Sequence, residues 1–364
     1  MSVLGLLSNF ATHFKVKHLK EKPVVDNAVF RLHYRFTAVF FLAASVLITA
    51  VNFFGKPIVC TADTFPRPDM LDTYCWIQKT FTYPIAANNQ SDPGVGPDWK
   101  TIDKRTHSYY QWVPFVLFFQ GLLFYFPHWM WKNQEGGLIG RLTEGGRRGC
   151  TLQSGKDEPG RRPLLSDYLN QTMGTRGYLG VAHATCELLN LVNAMGNIYL
   201  IDLFLGGSFF DYGWQVLTFT EKDQLFRHDP MIRIFPRVTK CKFDRYGPSG
   251  TQEIHDALCI LPLNVLNEKI YIFAWFWLVF LSMASVSALI YRSLVVISTR
   301  VRLAVFKRIG TTTCDPESVA ILSRRLPYSD CYLLLMLGKN LDGVAFRDLL
   351  DDLAHHLDHS HLDC

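Results

Sequence analysis

Five polar side chains share one stretch that is otherwise apolar. A helix turns by about 100° per residue, so their spacing places all five within roughly a third of the helix circumference. An ionisable group in a membrane interior costs several kcal/mol unless it is paired or hydrated, so the acid among them must face protein or water. A hydrogen-bonding seam between helices is our preferred interpretation, ahead of a pore lining and of a proton path. The five residues are His183, Glu187, Asn190, Asn193 and Asn197.

The nine cysteines offer redox and metal chemistry. Two of them, Cys60 and Cys75, lie in one hydrophilic segment, and Cys241 and Cys259 lie in another. On the outer side of a membrane such thiols form disulfides, and four cysteines allow three pairings. A zinc site is the lesser alternative, because these spacings lack the close Cys-x2-Cys pairs of such sites.

The C-terminal end carries a histidine pair, His355 and His359, at the i,i+4 spacing of a helical metal site. A solvated tail is the commoner outcome for such a composition, so no metal site is predicted. A nucleophile elbow, a phosphate-binding glycine loop and a His-Glu-x-x-His helix are all absent from the sequence. The sequence therefore predicts neither an enzyme nor a cofactor.

Four apolar stretches must position these side chains. None of the 37 Lys and Arg residues falls within them, and each has a length near the ~20 residues that a membrane-spanning helix needs. The first follows 35 mixed, charged residues, which argues against a cleaved signal peptide. The predicted spans are 36–55, 109–131, 177–206 and 270–291.

The distribution of cations gives the orientation. Residues 1–35, 132–176 and 292–364 hold 23 Lys and Arg, whereas residues 56–108 and 207–269 hold 14. Cytoplasmic segments carry the excess of these residues, so both termini are predicted to be cytoplasmic. The net charge of +5 then reflects topology, and no nucleic-acid partner is expected.

An aromatic run, Tyr109-Tyr110-Gln111-Trp112, precedes the second span and is followed by Pro114. Tyr and Trp are enriched at membrane interfaces, and Pro114 is predicted to bend the helix. This run resembles the signature of the innexins, the invertebrate gap-junction proteins, of insect type; a viral copy is the alternative. The segments 26–35, 259–277 and 334–342 resemble the family as well.

The resemblance implies disulfides between Cys60 and Cys259 and between Cys75 and Cys241. It further implies a homo- or hetero-oligomeric ring of innexin subunits, an octamer, around an aqueous pore in the plasma membrane. Two rings of adjacent cells would dock through their outer loops to form a gap junction that passes ions and small metabolites. The alternatives are an undocked hemichannel that releases small solutes, and a four-span adhesion or scaffold protein without an open pore.

Two further polar or amphipathic patterns bear on a pore. An N-terminal helix with an apolar face either lies on the inner leaflet or lines the cytoplasmic funnel, and the resemblance favours the funnel. One side of the first span is mildly polar. It either packs against another helix or faces the pore, and we slightly prefer the pore. The funnel residues are Leu4, Leu7, Phe10 and Phe14, and the polar side comprises Thr37, Ser45, Thr49 and Asn52.

The loops and tail complete an expected all-α membrane protein, a four-transmembrane-helix bundle with two disulfide-stapled extracellular loops containing short strands. The cytoplasmic N-terminal and C-terminal segments are predicted to be helical, the latter at 317–326, 332–337 and 345–357. Lys242 to Tyr246 is predicted as a strand before a Gly-Pro-Ser-Gly turn, and residues 144–163 as a mobile loop. Asn89 is a possible glycosylation site in the first outer loop, whereas the Asn170 sequon is predicted to lie inside the cell.

Overall fold

The computed structural model describes residues 23–62, 68–83, 104–147, 161–172, 177–219, 230–309 and 315–359. Most of these residues are helical, and the strands come from the two predicted outer loops. The helices are α1 (Ala28–Phe54), α2 (Pro68–Ile77), α3 (Val113–Glu135), α4 (Leu138–Arg147), α5 (Arg161–Thr172), α6 (Gly177–Phe204), α7 (Tyr212–Phe219), α8 (Pro230–Ile234), α9 (Pro262–Ile297), α10 (Thr299–Ile309), α11 (Pro316–Arg325), α12 (Tyr328–Gly338) and α13 (Gly343–His359). The strands are β1 (Val59–Thr61), β2 (Thr80–Thr82), β3 (Arg105–His107), β4 (Val238–Tyr246) and β5 (Gln252–Ile260).

Three of the described helices, α1, α3 and α9, are long and apolar enough to cross a membrane. Helix α6 coincides with the predicted third span and has 28 residues, but it is not among those three. Its histidine, glutamate and asparagines lower its hydropathy. Helices of sufficient length and apolar composition to span a membrane are therefore found at three of the four predicted stretches.

The first apolar helix begins earlier than predicted. Helix α1 starts at Ala28 and includes a π-helical turn over Leu32–Thr37. His33, which looked like part of a polar lead-in, is buried and its Nε2 lies 2.8 Å from Ser285 Oγ. A polar residue with an internal partner can thus extend an apolar helix past the point where composition suggests an end.

The predicted bend at Pro114 is wrong. Helix α3 begins at Val113, so Pro114 occupies the first turn, where a helix has no hydrogen bond to lose at that nitrogen. Pro127 is the proline that lies inside this helix. The residues just before the helix, Tyr109–Gln111, form a short 3-10 turn.

The chain divides into two compact units. One, the sheet unit, comprises residues 31–127 and 189–286; the other, the tail unit, comprises residues 1–30, 128–188 and 287–364. The core of the sheet unit contains Phe41 stacked on Phe124, with ring centroids 5.6 Å apart. Gly121 permits α1 and α3 to approach closely, because a Cβ there would lie 2.7 Å from Leu42 Cγ.

A five-stranded antiparallel sheet has the order β1-β5-β4-β2-β3. Strands β4 and β5 form a hairpin of nine residue pairs, and Gly250 in its turn has a φ of 80°. The predicted strand and turn are confirmed, although β4 begins at Val238, four residues earlier than expected. Strands β4 and β5 are adjacent in sequence, so a local turn is sufficient to pair them as a hairpin.

The tail unit contains helices α10 to α13, together with α4 and α5. The three predicted tail helices are confirmed; the first is shifted by one residue, and the other two are longer than predicted. Helix α12 is buried from Ser329 to Leu337, so its apolar residues are covered by the same chain. The expected mobile loop is helical at both ends, in α4 and α5, while residues 148–160 lie outside the described residues.

Candidate functional site

The centre of the tail unit is an ion pair between Glu187 of α6 and Arg292 of α9. The guanidinium Nε pairs with one carboxylate oxygen, and Nη2 donates to the other at 2.7 Å. The side chains are only 6% and 13% exposed, respectively. A buried carboxylate is stable in its charged form only with such a partner, so each of the two groups requires the other.

Arg292 uses its remaining donors on the groups around it. Nη2 also lies 2.7 Å from His183 Nδ1, and Nη1 donates to the Tyr328 hydroxyl at 2.6 Å. Because a guanidinium only donates, His183 Nδ1 accepts and the imidazole proton resides on Nε2. The guanidinium also lies 5.2 Å from the Tyr332 ring centroid, a cation–π contact. One side chain therefore joins α6, α9 and α12.

His183 is completely buried among aromatic rings. Its ring stacks on Phe30 at 5.4 Å, meets the edge of Trp131 at 4.7 Å and lies 5.0 Å from Tyr332. These contacts fix the imidazole plane that presents Nδ1 to Arg292. The aromatic shell also excludes water, which strengthens the ion pair next to it.

The lead-in to α1 is attached to this junction by Asn27. Its Nδ2 donates to Glu187 Oε1 at 2.5 Å, and its Oδ1 accepts from the Phe30 amide at 2.6 Å. The second bond is an N-cap, in which a side chain satisfies an otherwise free amide of the first helical turn. Asn27 therefore begins α1 and binds α6 at the same time.

A second attachment joins the same lead-in to the tail. Asn340, just after α12, accepts from the Val24 amide at 2.6 Å and donates to the Val24 carbonyl at 2.8 Å. Its Nδ2 also donates to the Met336 carbonyl at 2.8 Å. An amide is the side chain that supplies donor and acceptor together, so Asn340 pairs with a peptide group as a strand neighbour would.

The four cysteines of the predicted outer loops form two disulfides, Cys60 with Cys259 and Cys75 with Cys241. Their Sγ atoms are buried, and three of them lie within 4.8 Å of one another because the bridges are neighbours. A sulfur in a disulfide is not a thiolate ligand, so this proximity does not make a zinc site. The bridges join β1 to β5 and α2 to β4, which connects the two outer loops.

The aromatic run contacts both of the predicted outer loops. Tyr109 donates to the Ile234 carbonyl at 3.1 Å, Tyr110 to that of Gln78 at 3.1 Å, and Gln111 Nε2 to that of Trp76. Trp112 is 62% exposed. Only Trp112 therefore has the exposure of a membrane-interface anchor, whereas the other three hold the outer loops against the start of α3.

The chain matches the Innexin family model over residues 26–357. It is 42% identical to Innexin inx3 of Drosophila melanogaster, over 97% of this chain and 90% of that protein. It is 41% identical to Innexin shaking-B of the same species, over 98% and 96%, and 41% identical to Innexin inx2 of Schistocerca americana, over 92% and 94%. The chain belongs to the innexin family.

Innexins are gap-junction channel subunits and not enzymes, so this innexin is a membrane protein that assembles with other innexin subunits. Its similarity to the insect proteins extends over nearly the whole chain. The disulfide pairs in the structure are the two that the resemblance implied.

The structure divides the predicted polar face of α6. His183 and Glu187 meet in the junction around Arg292. Farther along the helix, Asn197 Nδ2 donates to Asn193 Oδ1 at 2.9 Å. The side-chain atoms of Asn190 are buried without a hydrogen-bond partner among the described residues. In this innexin chain, the described interhelical bonds of that face come from its first two residues.

The polar side of the first span packs inward, so the slight preference for a pore surface is wrong for two of its members. Ser45 donates to the Pro114 carbonyl at 2.7 Å, and Thr37 accepts from Trp277 Nε1 at 2.8 Å. Both residues are buried against helices of the same chain. The funnel residues Leu4, Leu7, Phe10 and Phe14 and the sequon at Asn89 lie outside the described residues.

Sequence reasoning missed three residues of the junction, Asn27, Arg292 and Asn340. In the sequence, Arg292 is one of the cations counted in residues 292–364, and no acid lies near it. Glu187 could have indicated this role of Arg292, since a buried carboxylate predicts a cation at matching depth on another helix. Asn27 was identifiable as a residue type that caps helices, had α1 been predicted to begin at Ala28.

Proposed function

We propose that this innexin forms an eight-subunit ring in the plasma membrane, and that two rings of adjacent cells dock to give a gap-junction channel. Helix α6 is the third of four membrane spans, and both termini are cytoplasmic. Ions and small metabolites pass, with selection by pore diameter and lining charge. The N-terminal residues Leu4, Leu7, Phe10 and Phe14 line the cytoplasmic funnel.

The observation that carries the docked assembly is the exposed face of the β4–β5 hairpin. Tyr246 is 71% exposed and Ile254 is 60% exposed. Asp244 pairs with Ile254 and Tyr246 with Gln252, so these four side chains share one face of the hairpin. Apolar side chains at the end of a disulfide-braced hairpin are suited to contact a partner, and they require no rearrangement to do so.

Dye transfer between paired cells that express the protein tests this proposal. Ile254→Lys places a charge on the exposed face and should abolish transfer at normal surface expression. Glu253→Lys places the same side chain on the opposite face and is the matched control. Unchanged transfer by Ile254→Lys would contradict the docking role of this face.

Unpaired cells separate the alternatives. A hemichannel takes up dye in single cells without junctional transfer, and an adhesion protein without an open pore shows neither.

Glycosylation of the sequons tests the orientation, because glycans are added only on the luminal side. We expect Asn170, on α5, to be bare, and a glycan there would overturn the four-span orientation.

A further inference from the structure

The segment from α9 into α10 carries an unbalanced positive charge. No Asp or Glu occurs between Glu268 and Asp315, whereas this interval holds Lys269 and five later cations. Two of these cations, Arg292 and Arg302, are used inside the tail unit. Arg302 donates to the Leu326 carbonyl at 3.3 Å and to the Val296 carbonyl at 3.0 Å.

The other three cations, Arg300, Lys307 and Arg308, are exposed on α10. None of them has an ion pair or hydrogen bond with a described residue. At about 100° per residue they fall within roughly 100° of arc, opposite Arg302 and the buried Phe306. Helix α10 therefore presents one face to the tail unit and a cationic face away from it.

The surface immediately before α10 is apolar and exposed. Ile290, Tyr291 and Leu294 are 57%, 54% and 49% exposed, and Ile297 is 81% exposed. Such side chains at the end of a span are suited to lipid. Helix α10 begins two residues after Ile297, so the cationic face starts where the exposed apolar surface ends.

We infer that Arg300, Lys307 and Arg308 form a binding site for anionic phospholipid headgroups of the inner leaflet. This inference rests on the cytoplasmic placement of the tail in the proposed function. Cations next to a cytoplasmic leaflet are attracted by its negative surface potential, and phosphate groups pair well with Arg and Lys. The site requires no channel opening and no docked partner.

The test uses the purified full-length protein in a neutral detergent, titrated with short-chain phosphatidylinositol 4,5-bisphosphate at 0.1 M salt. A charge-assisted bond from Arg or Lys to a phosphate group contributes about tenfold or more to affinity, so Arg300→Gln/Lys307→Gln/Arg308→Gln should weaken binding at least a hundredfold. The matched control is Lys79→Gln/Arg245→Gln/Arg324→Gln, which removes the same three charges from exposed positions elsewhere. It should bind within about twofold of wild type, and gel filtration checks that both variants remain assembled.

Wild-type affinity in the α10 variant would overturn the assignment. Equal affinity for soluble inositol 1,4,5-trisphosphate, lost in the same variant, would replace the lipid by a soluble phosphate ligand. Equal affinity for short-chain phosphatidylcholine would show that charge does not select the lipid. Because binding is measured without conduction, a failure of the channel proposal would appear in dye transfer and not here. A failure of the orientation would appear as a glycan at Asn170.

Discussion

Glu187 and Arg292 show how one buried charge determines the residues around it. Removal of one partner of a buried pair leaves the other charge desolvated and costs about 3–5 kcal/mol. We therefore expect Glu187→Leu to impair assembly, measured by gel filtration and thermal unfolding. Glu187→Gln retains an acceptor for Arg292 and Asn27 and should assemble with a smaller loss of stability.

A combined change separates the ion pair from other roles of Glu187. Glu187→Leu together with Arg292→Met removes both charges and should recover part of the stability that Glu187→Leu loses. If Glu187→Leu assembles normally but alters ion selectivity, the side chain lines the pore and our assignment of a structural junction is wrong.

His107 makes the stability of the five-stranded sheet depend on pH. It is 3% exposed, its Nε2 lies 2.8 Å from Thr82 Oγ1, and burial lowers its pKa from 6.5 to about 4. The folded state therefore favours the neutral ring, while the unfolded state binds a proton below pH 6.5. Stability should fall as the pH decreases from about 6.5 to 4, by roughly 3 kcal/mol in total.

His107→Gln isolates this contribution, because its amide can keep a hydrogen bond to Thr82 without titrating. The thermal midpoint of the variant should fall less than that of wild type over the same pH interval. Parallel pH profiles for the two proteins would show that His107 does not titrate in this manner.

At the scale of elements, the disulfides connect the two outer loops. The bridges close segments of 199 and 166 residues, and each constrains the unfolded chain by about 2–4 kcal/mol. Cys75→Ser should lower the unfolding midpoint and abolish dye transfer. Cys186→Ala is the control, because this thiol forms no disulfide. In this variant both disulfides remain, so reductant should still lower its unfolding midpoint. Non-reducing peptide maps that show all four outer cysteines as free thiols would refute the pairing.

The attachment of the lead-in by Asn340 predicts a graded loss of order. Asn340→Asp retains the acceptor for the Val24 amide but loses the donor to the Val24 carbonyl, and Asn340→Leu loses both. Hydrogen exchange at Val24 should therefore be slowest in wild type, faster in Asn340→Asp and fastest in Asn340→Leu. The exposed Asn133→Asp is a matched control. Equal exchange rates in all variants would contradict the attachment.

For the whole molecule, periodicity and composition are sufficient to predict the apolar stretches, the hairpin turn at Gly247–Gly250 and the tail helices. They do not predict where a polar residue finds a distant partner. His33, which bonds to Ser285, lies in a part of α1 that composition did not predict as helix. Glu187 and Arg292 form the ion pair at the centre of the junction. Such partners lie about a hundred residues or more apart, and local propensity carries no information about them.

The same limit explains the aromatic run and Pro114. The residue types indicated a membrane interface, which fits the exposed Trp112. The hydrogen bonds of Tyr109 and Tyr110 to outer-loop carbonyls depend on how those loops fold back, which the disulfides and the sheet determine. Pro114 looked like a kink because the predicted helix began five residues before it.

Electron cryo-microscopy of the protein extracted from membranes of coupled cells tests the central claim most directly. Our account predicts two eight-subunit rings joined end to end, with the β4–β5 hairpin faces of Tyr246 and Ile254 in contact across the gap and no glycan at Asn89 between them. Single rings with these faces turned to solvent and Asn89 uniformly glycosylated would contradict it, and would establish the undocked hemichannel instead.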